Sequence, residues 1–444
     1  MIRDLTTGNP TKVIWSYTVP MFLSVIFQQF YNMADSIIAG RFAGEEALAA
    51  VGASYPITMV FNAIAVGCNV GCAVVVARIF GSRDYTKTRT AISTTIIAAV
   101  VSSALLTATG FFISKPVLTL LDTPANIFAD STLYLDIYIG GFTFLFLYNI
   151  ANAIFVSVGD SKTPLVFLIC SSVGNIILDY IFVANFHWGV AGVAWATFIA
   201  QGVACILALV TVAARVKEIK VTEKHEKFSF ETLNEICKVA IPSILQQSFV
   251  SVGNLFVQKL INGFGSSVIA GYSAAVKLNT FCLTGIITLG NGISGFTAQN
   301  MGAKKPARID KGFAASLVMS LFITIPFSFV FFYAGKPFVM LFLEDGNAQS
   351  LEVGIDFLKT VSPFYCPIAF KIISDGILRG SGWMKAFMVT TFLDLISRVI
   401  FAYVLSPIYG MSGIYRSWII GWIICTVLSV IIYCFNRRSR LKNA

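Results

Sequence analysis

Residues 20–42, PMFLSVIFQQFYNMADSIIAGRF, and residues 242–264, PSILQQSFVSVGNLFVQKLINGF, share one frame. Pro20 falls on Pro242, Asn32 on Asn254 and Phe42 on Phe264, an offset of 222. Carried outward, the offset stays between 221 and 223. It brings Gly81 onto Gly302, Leu121 onto Leu343, Gly159 onto Gly382, Tyr180 onto Tyr403, Gly189 onto Gly410 and Gly192 onto Gly413. Prolines and loop glycines have specific backbone roles, so matches at these residues point to a duplicated fold rather than to shared apolarity. A duplicated, very apolar chain is the pattern of a two-lobed membrane transporter.

The composition sets the solvent. Hydrophobic residues make up 56% of the 444 and charged residues 12%, about half the charged share of a soluble domain. Apolar runs of spanning length recur twelve times, near 13–38, 51–77, 91–113, 133–157, 165–183, 191–214, 240–261, 270–298, 313–333, 357–378, 387–405 and 413–434. A membrane strand alternates apolar and polar residues, whereas these runs are apolar all round. The expected fold is therefore an all-α integral membrane bundle. Six spans per repeat is an even number, so the two six-helix lobes are parallel and enclose a central cavity. The N-lobe is expected over 1–213, a solvated linker rich in Lys and Glu over 214–238, and the C-lobe over 239–444.

Lysine and arginine report orientation. Placing the termini and every second loop on one side puts 23 of the 32 there, against Arg41, Lys115, Lys336 and Lys359 opposite. That bias puts both termini in the cytoplasm of a multi-pass plasma membrane protein. The net charge of +10 is thus a topology signal and no sign of a nucleic-acid partner. The first apolar run is long enough to span and is read as a permanent helix rather than a cleaved signal. Nine cysteines, an odd number, lie in or beside the spans and are read as small packing residues without disulfides. His187 and His225 fall in loops. Gly290 to Gly295 spells GxGxxG inside span 8 with no strand before it, which favours close helix packing over dinucleotide binding. No P-loop is present, so ATP is not the expected drive.

Ten charges remain inside the spans: Asp35, Asp136, Asp179, Asp375, Asp394, Lys259, Lys277, Lys371, Arg398 and Arg416. Each costs at least ~2.5–3.5 kcal/mol in hydrocarbon, so each needs a partner or a purpose. In the first lobe, Asp35 lies near the outer end of span 1. Asp179 is roughly 22 Å up span 5, and Thr197 roughly 10 Å down span 6, which places all three at one depth. Asn175 precedes Asp179 by one turn on the same face. These oxygens suit a small cation, or a carboxylate pair that holds a proton. Hydrogen-bond glue is the ordinary role of a lone membrane Asn or Thr; two buried aspartates without a cation in the same half favour ion binding. The second lobe substitutes Arg398 for Asn175, Trp418 for Thr197 and Asp375 for Asn152. There, the i, i+4 spacings favour ion pairs of Asp394 with Arg398 and of Lys371 with Asp375. Lys277 either meets Asp375 or faces the cavity.

On these residues the chain resembles the multidrug and toxic compound extrusion (MATE) family, over nearly its whole length. The shared features are the parallel lobes, Pro20 fifteen residues before Asp35, the Gln28 to Asp35 stretch, the loop Gly159-Asp160-Ser161-Lys162-Thr163-Pro164, Ala298-Gln299 before Gly302, and Arg379-Gly380-Ser381-Gly382. The resemblance implies a coupling site for H+ or Na+ at Asp35, Asn175, Asp179 and Thr197, with Gln28, Tyr134 and Asn152 as a polar shell. It also implies export of amphiphilic, often cationic, organic compounds by antiport through alternating access, with no other cofactor. Pro20 serves as a hinge because its missing N–H leaves a helical carbonyl unpaired. Another branch of the family uses a second-lobe site with a glutamate on span 7; here that span has no acidic residue, and Gln246 and Gln247 are the nearest polar candidates. The expected chain works as a monomer, without ATP or nucleic acid, in contact with lipid and a small organic substrate. A lipid-linked oligosaccharide flippase of the same superfamily is the alternative, kept open by Lys277, Lys371 and Arg398. An intramembrane transferase would need paired aspartates for Mg2+ or a reactive His at the membrane surface, and neither constellation is in the sequence.

Overall fold

The computed structural model describes residues 2–38, 45–121, 123–219, 221, 225–343 and 348–442, with the backbone alone at 34–38 and 45–48. The described residues are almost entirely helical: α1 Pro10–Ile38, α2 Glu45–Gly81, α3 Tyr85–Leu120, α4 Ala125–Ser157, α5 Lys162–Asp179, α6 Gly189–Glu218, α7 Phe230–Asn262, α8 Ser266–Gly302, α9 Pro306–Met340, α10 Ala348–Val361, α11 Tyr365–Gly380, α12 Met384–Tyr409 and α13 Met411–Lys442. Twelve stretches are long and apolar enough to cross a bilayer. Apolar side chains such as Leu105, Phe112, Leu120, Phe322 and Ile408 stay exposed, as surfaces that face hydrocarbon do. All nine cysteines are free thiols.

The tenth span starts earlier than the expected 357 and is broken. α10 and α11 are joined by a 3-10 turn at Ser362–Phe364, where Pro363 removes an N–H and its ring crowds the preceding turn. Neighbouring helices add hydrogen bonds around the break. The Ser328 hydroxyl donates to the Ser362 carbonyl at 2.6 Å, which also accepts from the Tyr365 N–H, and the Thr426 hydroxyl donates to the Pro367 carbonyl at 3.0 Å; such partners let irregular backbone persist in hydrocarbon.

The chain divides into two compact units. Unit 1 comprises residues 2–4 and 23–244, and unit 2 comprises 5–22 and 245–442 among the described residues. The first half of α1 thus belongs to unit 2, and the first half of α7 to unit 1. Each changeover lies two or three residues past the repeat-matched proline, Pro20 or Pro242. In unit 1, α4 packs on α2, α3 and α6, and Gly67 and Gly71 of α2 accept Ile244 and Ala240 of α7. In unit 2, α8 packs on α9, α10 and α11, and Gly285, Gly292 and Gly295 accept Phe22, Thr18 and Tyr17 of α1.

The duplication extends to backbone geometry. Gly159 and Gly382, at the ends of α4 and α11, have φ of +80° and +81°; Gly189 and Gly410, ahead of α6 and α13, have +54° and +58°. Only glycine takes these values without steric cost, hence its recurrence at both copies.

The GxGxxG stretch is a packing surface, as its place inside span 8 suggested. Gly376 and Gly380 of α11 lie against the backbone carbonyls of Gly290 and Ser294, so the two helices approach with no room for a Cβ. Because the obstruction is backbone, Gly376→Ala is expected to lower stability by about 1–3 kcal/mol, read as a fall in melting temperature in detergent. Gly174 of α5 has nothing within 4 Å of an added carbon, so Gly174→Ala is expected to be neutral or stabilising by up to about 1 kcal/mol. Equal melting temperatures for the two variants would contradict the close approach of α8 and α11.

Candidate functional site

Asp179 is the last residue of α5 proper; from Tyr180 to Asn185 the helix widens into π turns. Such widening inside a helix frequently accompanies functional sites. Asp179 is fully buried, and Asn175, one turn earlier, is 2% exposed. Neither polar atom of the Asn175 amide has a hydrogen-bond partner among the described residues. A buried amide with both groups unmet is costly unless something else meets them.

That amide faces a cavity of about 490 Å³ within unit 1, walled among others by Gln28 of α1, Tyr148 and Asn152 of α4, Asn175 of α5, and Thr197 and Gln201 of α6. Among the described residues the wall includes no charged side chain. Gln28 donates from Nε2 to Asn32 Oδ1, one turn on, at 3.2 Å. Asn152 Oδ1 and the Tyr148 hydroxyl are buried and unmet; they lie side by side but outside hydrogen-bond geometry. The cavity therefore offers amide and hydroxyl oxygens with Asp179 buried one turn from the wall, the donor set of a hard monovalent cation or a protonated carboxyl.

Four of the expected residues, Gln28, Asn152, Asn175 and Thr197, meet on this one wall. Asp179 is not part of the wall. Tyr134 lines a smaller neighbouring cavity, which shares Thr197 and Gln201 with the first, and stacks on Tyr138 at 6.4 Å. The Asp35 side chain lies outside the described residues. Gln201 was missed, as were Asn62 and Asn149 on the same wall. Gln201 follows Thr197 by one turn, a signal that helical spacing alone carried.

The second-lobe charges pair differently from the expectation based on spacing. Lys371 Nζ lies 3.0 Å from Asp375 Oδ2, as expected, and 3.5 Å from Asp394 Oδ2. Asp375 also accepts from the hydroxyls of Thr390 at 2.8 Å and Ser429 at 3.5 Å. Asp394 is thus held by Lys371, and Arg398 is not its salt-bridge partner. The flexible lysine stem lets one ammonium reach acids on two helices, whereas the planar guanidinium of Arg398 stacks over the Trp418 ring at 4.4 Å and donates to Asn254 Oδ1 at 2.9 Å. Lys277 lies outside this network, exposed, 5.6 Å from the Phe342 ring centre. Gly290 of α8 lies level with Gly376 of α11. Lys277, thirteen residues before Gly290, is therefore about 20 Å along the helix from that level, too far to meet Asp375.

The chain is similar throughout its length to curated transport proteins. It is 26% identical over 443 residues to the probable multidrug resistance protein YpnP of Bacillus subtilis, covering 99% of this chain and 98% of that one. It is 22% identical to the multidrug export protein MepA of Staphylococcus saprophyticus, with 98% and 96% covered. Its fold matches that of an outward-facing multidrug resistance MATE transporter of the MOP superfamily at a TM-score of 0.92, with 22% identity and 99% and 98% coverage. A MOP-superfamily transporter from Pyrococcus furiosus gives a TM-score of 0.90 at 21% identity, with 98% of each chain covered. The MatE family model matches twice, at residues 20–181 and 242–404, once in each repeat. With two copies of that model spanning most of its length, the chain belongs to the MatE family, the multidrug efflux transporters of the MATE type, and is a multi-pass plasma membrane transporter rather than an enzyme.

Proposed function

We propose that this protein is a secondary active antiporter that exports amphiphilic, cationic organic compounds in exchange for inward H+ or Na+, with the ion held by Asp35, Asn175, Asp179 and Thr197. The observation that carries this reading is the burial of Asp179 one turn from an Asn175 amide that has no partner among the described residues and opens onto a cavity walled by amides and hydroxyls. An ionised aspartate at that depth costs at least ~2.5–3.5 kcal/mol, which binding a proton or Na+ relieves. Site occupancy and helix packing are therefore energetically linked. The hinge is assigned to Pro20 because α1 changes from unit 2 to unit 1 just past it, and a proline contributes no N–H to the helical ladder. Transport follows if neutralising the carboxylates shifts α1 and alters the cavity. Both termini are assigned to the cytoplasm on the lysine and arginine bias, and the working unit is taken as the monomer.

The names of the relatives favour drug-like cargo, and the amides and tyrosines of the cavity wall favour recognition through aromatic and amide contacts. Among the described residues it offers no basic side chain for the pyrophosphate of a lipid-linked sugar, which weighs against the flippase alternative. The triad of Lys371, Asp375 and Asp394 is read as structural, since one ammonium already brackets both acids.

Ion-driven efflux of an organic cation from proteoliposomes is expected to fall to the level of empty liposomes in Asp179→Asn, with folding retained because a neutral amide costs less to bury. Full efflux in that variant would end the coupling assignment. Separately imposed pH and sodium gradients are expected to drive wild-type efflux with only one of the two ions. Efflux with neither gradient able to drive it would remove antiport altogether. In the second lobe, Lys371→Met is expected to destabilise by about 3–5 kcal/mol by stranding the buried Asp375 and the part-buried Asp394, and adding Asp375→Asn is expected to recover part of the loss. A double variant no more stable than the single one would contradict the pairing.

A further inference from the structure

Where unit 1 walls its cavity with neutral amides, the repeat-matched places in unit 2 hold a cation among aromatic rings. Asn175, Thr197 and Gln201 correspond to Arg398, Trp418 and Trp422 at offsets of 221 to 223. Arg398 is 7% exposed and Trp418 6%. The guanidinium spends one N–H on Asn254, while its Nε and the indole Nε1 of Trp418 are buried donors with no acceptor among the described residues. Tyr272 of α8 is buried in the same side-chain cluster as Trp418. Two buried donors, one of them charged, therefore lie without an acceptor among the described residues.

The local charge count has the same sign. Apart from Lys385, exposed in the first turn of α12, α11 and α12 carry three cations, Lys371, Arg379 and Arg398, against two acids, Asp375 and Asp394. Both acids are held by Lys371. Arg379 is met by neutral groups, Asn291 Oδ1 at 2.6 Å and Ser294 Oγ at 3.3 Å. Arg398 has no carboxylate within salt-bridge distance among the described residues, and Asp394, one turn away, acts on it only at longer range. One positive charge is left over, in a helix span where an uncompensated charge is costly.

We infer that Arg398, Trp418 and Tyr272 form a monovalent-anion subsite in unit 2, at the place that corresponds to the cation-suited cavity of unit 1. The chemistry fits a carboxylate or a chloride ion: a single surplus charge matches one negative charge, and the stacked indole favours a weakly hydrated group over a strongly hydrated divalent anion. A carboxylate-bearing amphiphile would place its acid here. The inference does not depend on ion coupling in the first lobe, so Asp179→Asn is expected to leave anion binding unchanged.

The test is the melting temperature of the purified full-length protein in detergent, titrated with sodium benzoate and, separately, with sodium chloride. Wild type is expected to show a saturable rise, because a ligand that binds only the folded state stabilises it. The comparison between variants cancels general salt effects. Arg398→Gln is expected to abolish the saturable rise. Trp418→Phe keeps an aromatic face and deletes the N–H, and is expected to weaken binding by about tenfold. The exposed Lys277→Gln is expected to behave as wild type. A rise with benzoate alone assigns the site to a cargo carboxylate, and a rise with chloride assigns it to the inorganic ion. Equal rises in wild type and Arg398→Gln would overturn the inference. Should Arg398→Gln fail to fold, an unchanged midpoint in Trp418→Phe would overturn it.

Discussion

Hydrocarbon cannot supply hydrogen bonds or counter-ions, so every buried polar group of this chain must be met by protein or by a bound ligand. The packing follows from that constraint. Helices carry nearly all the backbone bonds. Where Pro363 interrupts one, serine and threonine hydroxyls from neighbouring helices donate to backbone carbonyls around the break. Where α8 meets α11, glycines let the backbones approach directly, since the hydrophobic effect gives no reason for apolar helices to associate in lipid. Against this background the unmet groups stand out: the Asn175 amide in unit 1 and the Arg398 and Trp418 donors in unit 2.

The two repeats keep the same frame and have exchanged their chemistry. Matched glycines hold the same left-handed conformations, and matched prolines mark where α1 and α7 pass from one unit to the other. The side chains facing the interior have diverged. Unit 1 keeps a cavity of amides and hydroxyls, while unit 2 fills the equivalent positions with an indole pair and a guanidinium, beside acids bound to their own lysine. Duplication preserves backbone roles because a turn glycine has no substitute; an interior side chain can change provided its polarity is met locally.

Much of this was legible in the residues. Spanning length, the repeat offset and the Asn175 to Asp179 spacing required only helical periodicity, and the Asn175 and Thr197 wall followed from counting depth along two helices. The error over Asp394 shows where periodicity stops. Spacing of i, i+4 makes Arg398 an available partner, but Lys371 comes from another helix and its reach is invisible in one dimension. The pairing of Lys277 with Asp375, one of its two expected roles, is excluded for a related reason: two residues assigned to one lobe can lie at different depths. Tyr134 and Gln201 divide between adjacent cavities according to how α4 and α6 face each other.

By itself, then, the sequence determined the solvent, the helical class, the duplication and the identity of the charges that need a reason to be buried, because these depend on composition and on periods along a single chain. Tertiary structure alone decided which charges cancel and which remain. It set Lys371 between two acids, turned Arg398 toward an indole, and left the Asn175 amide facing open space, since a counter-ion is chosen by distance across helices and not by order along one.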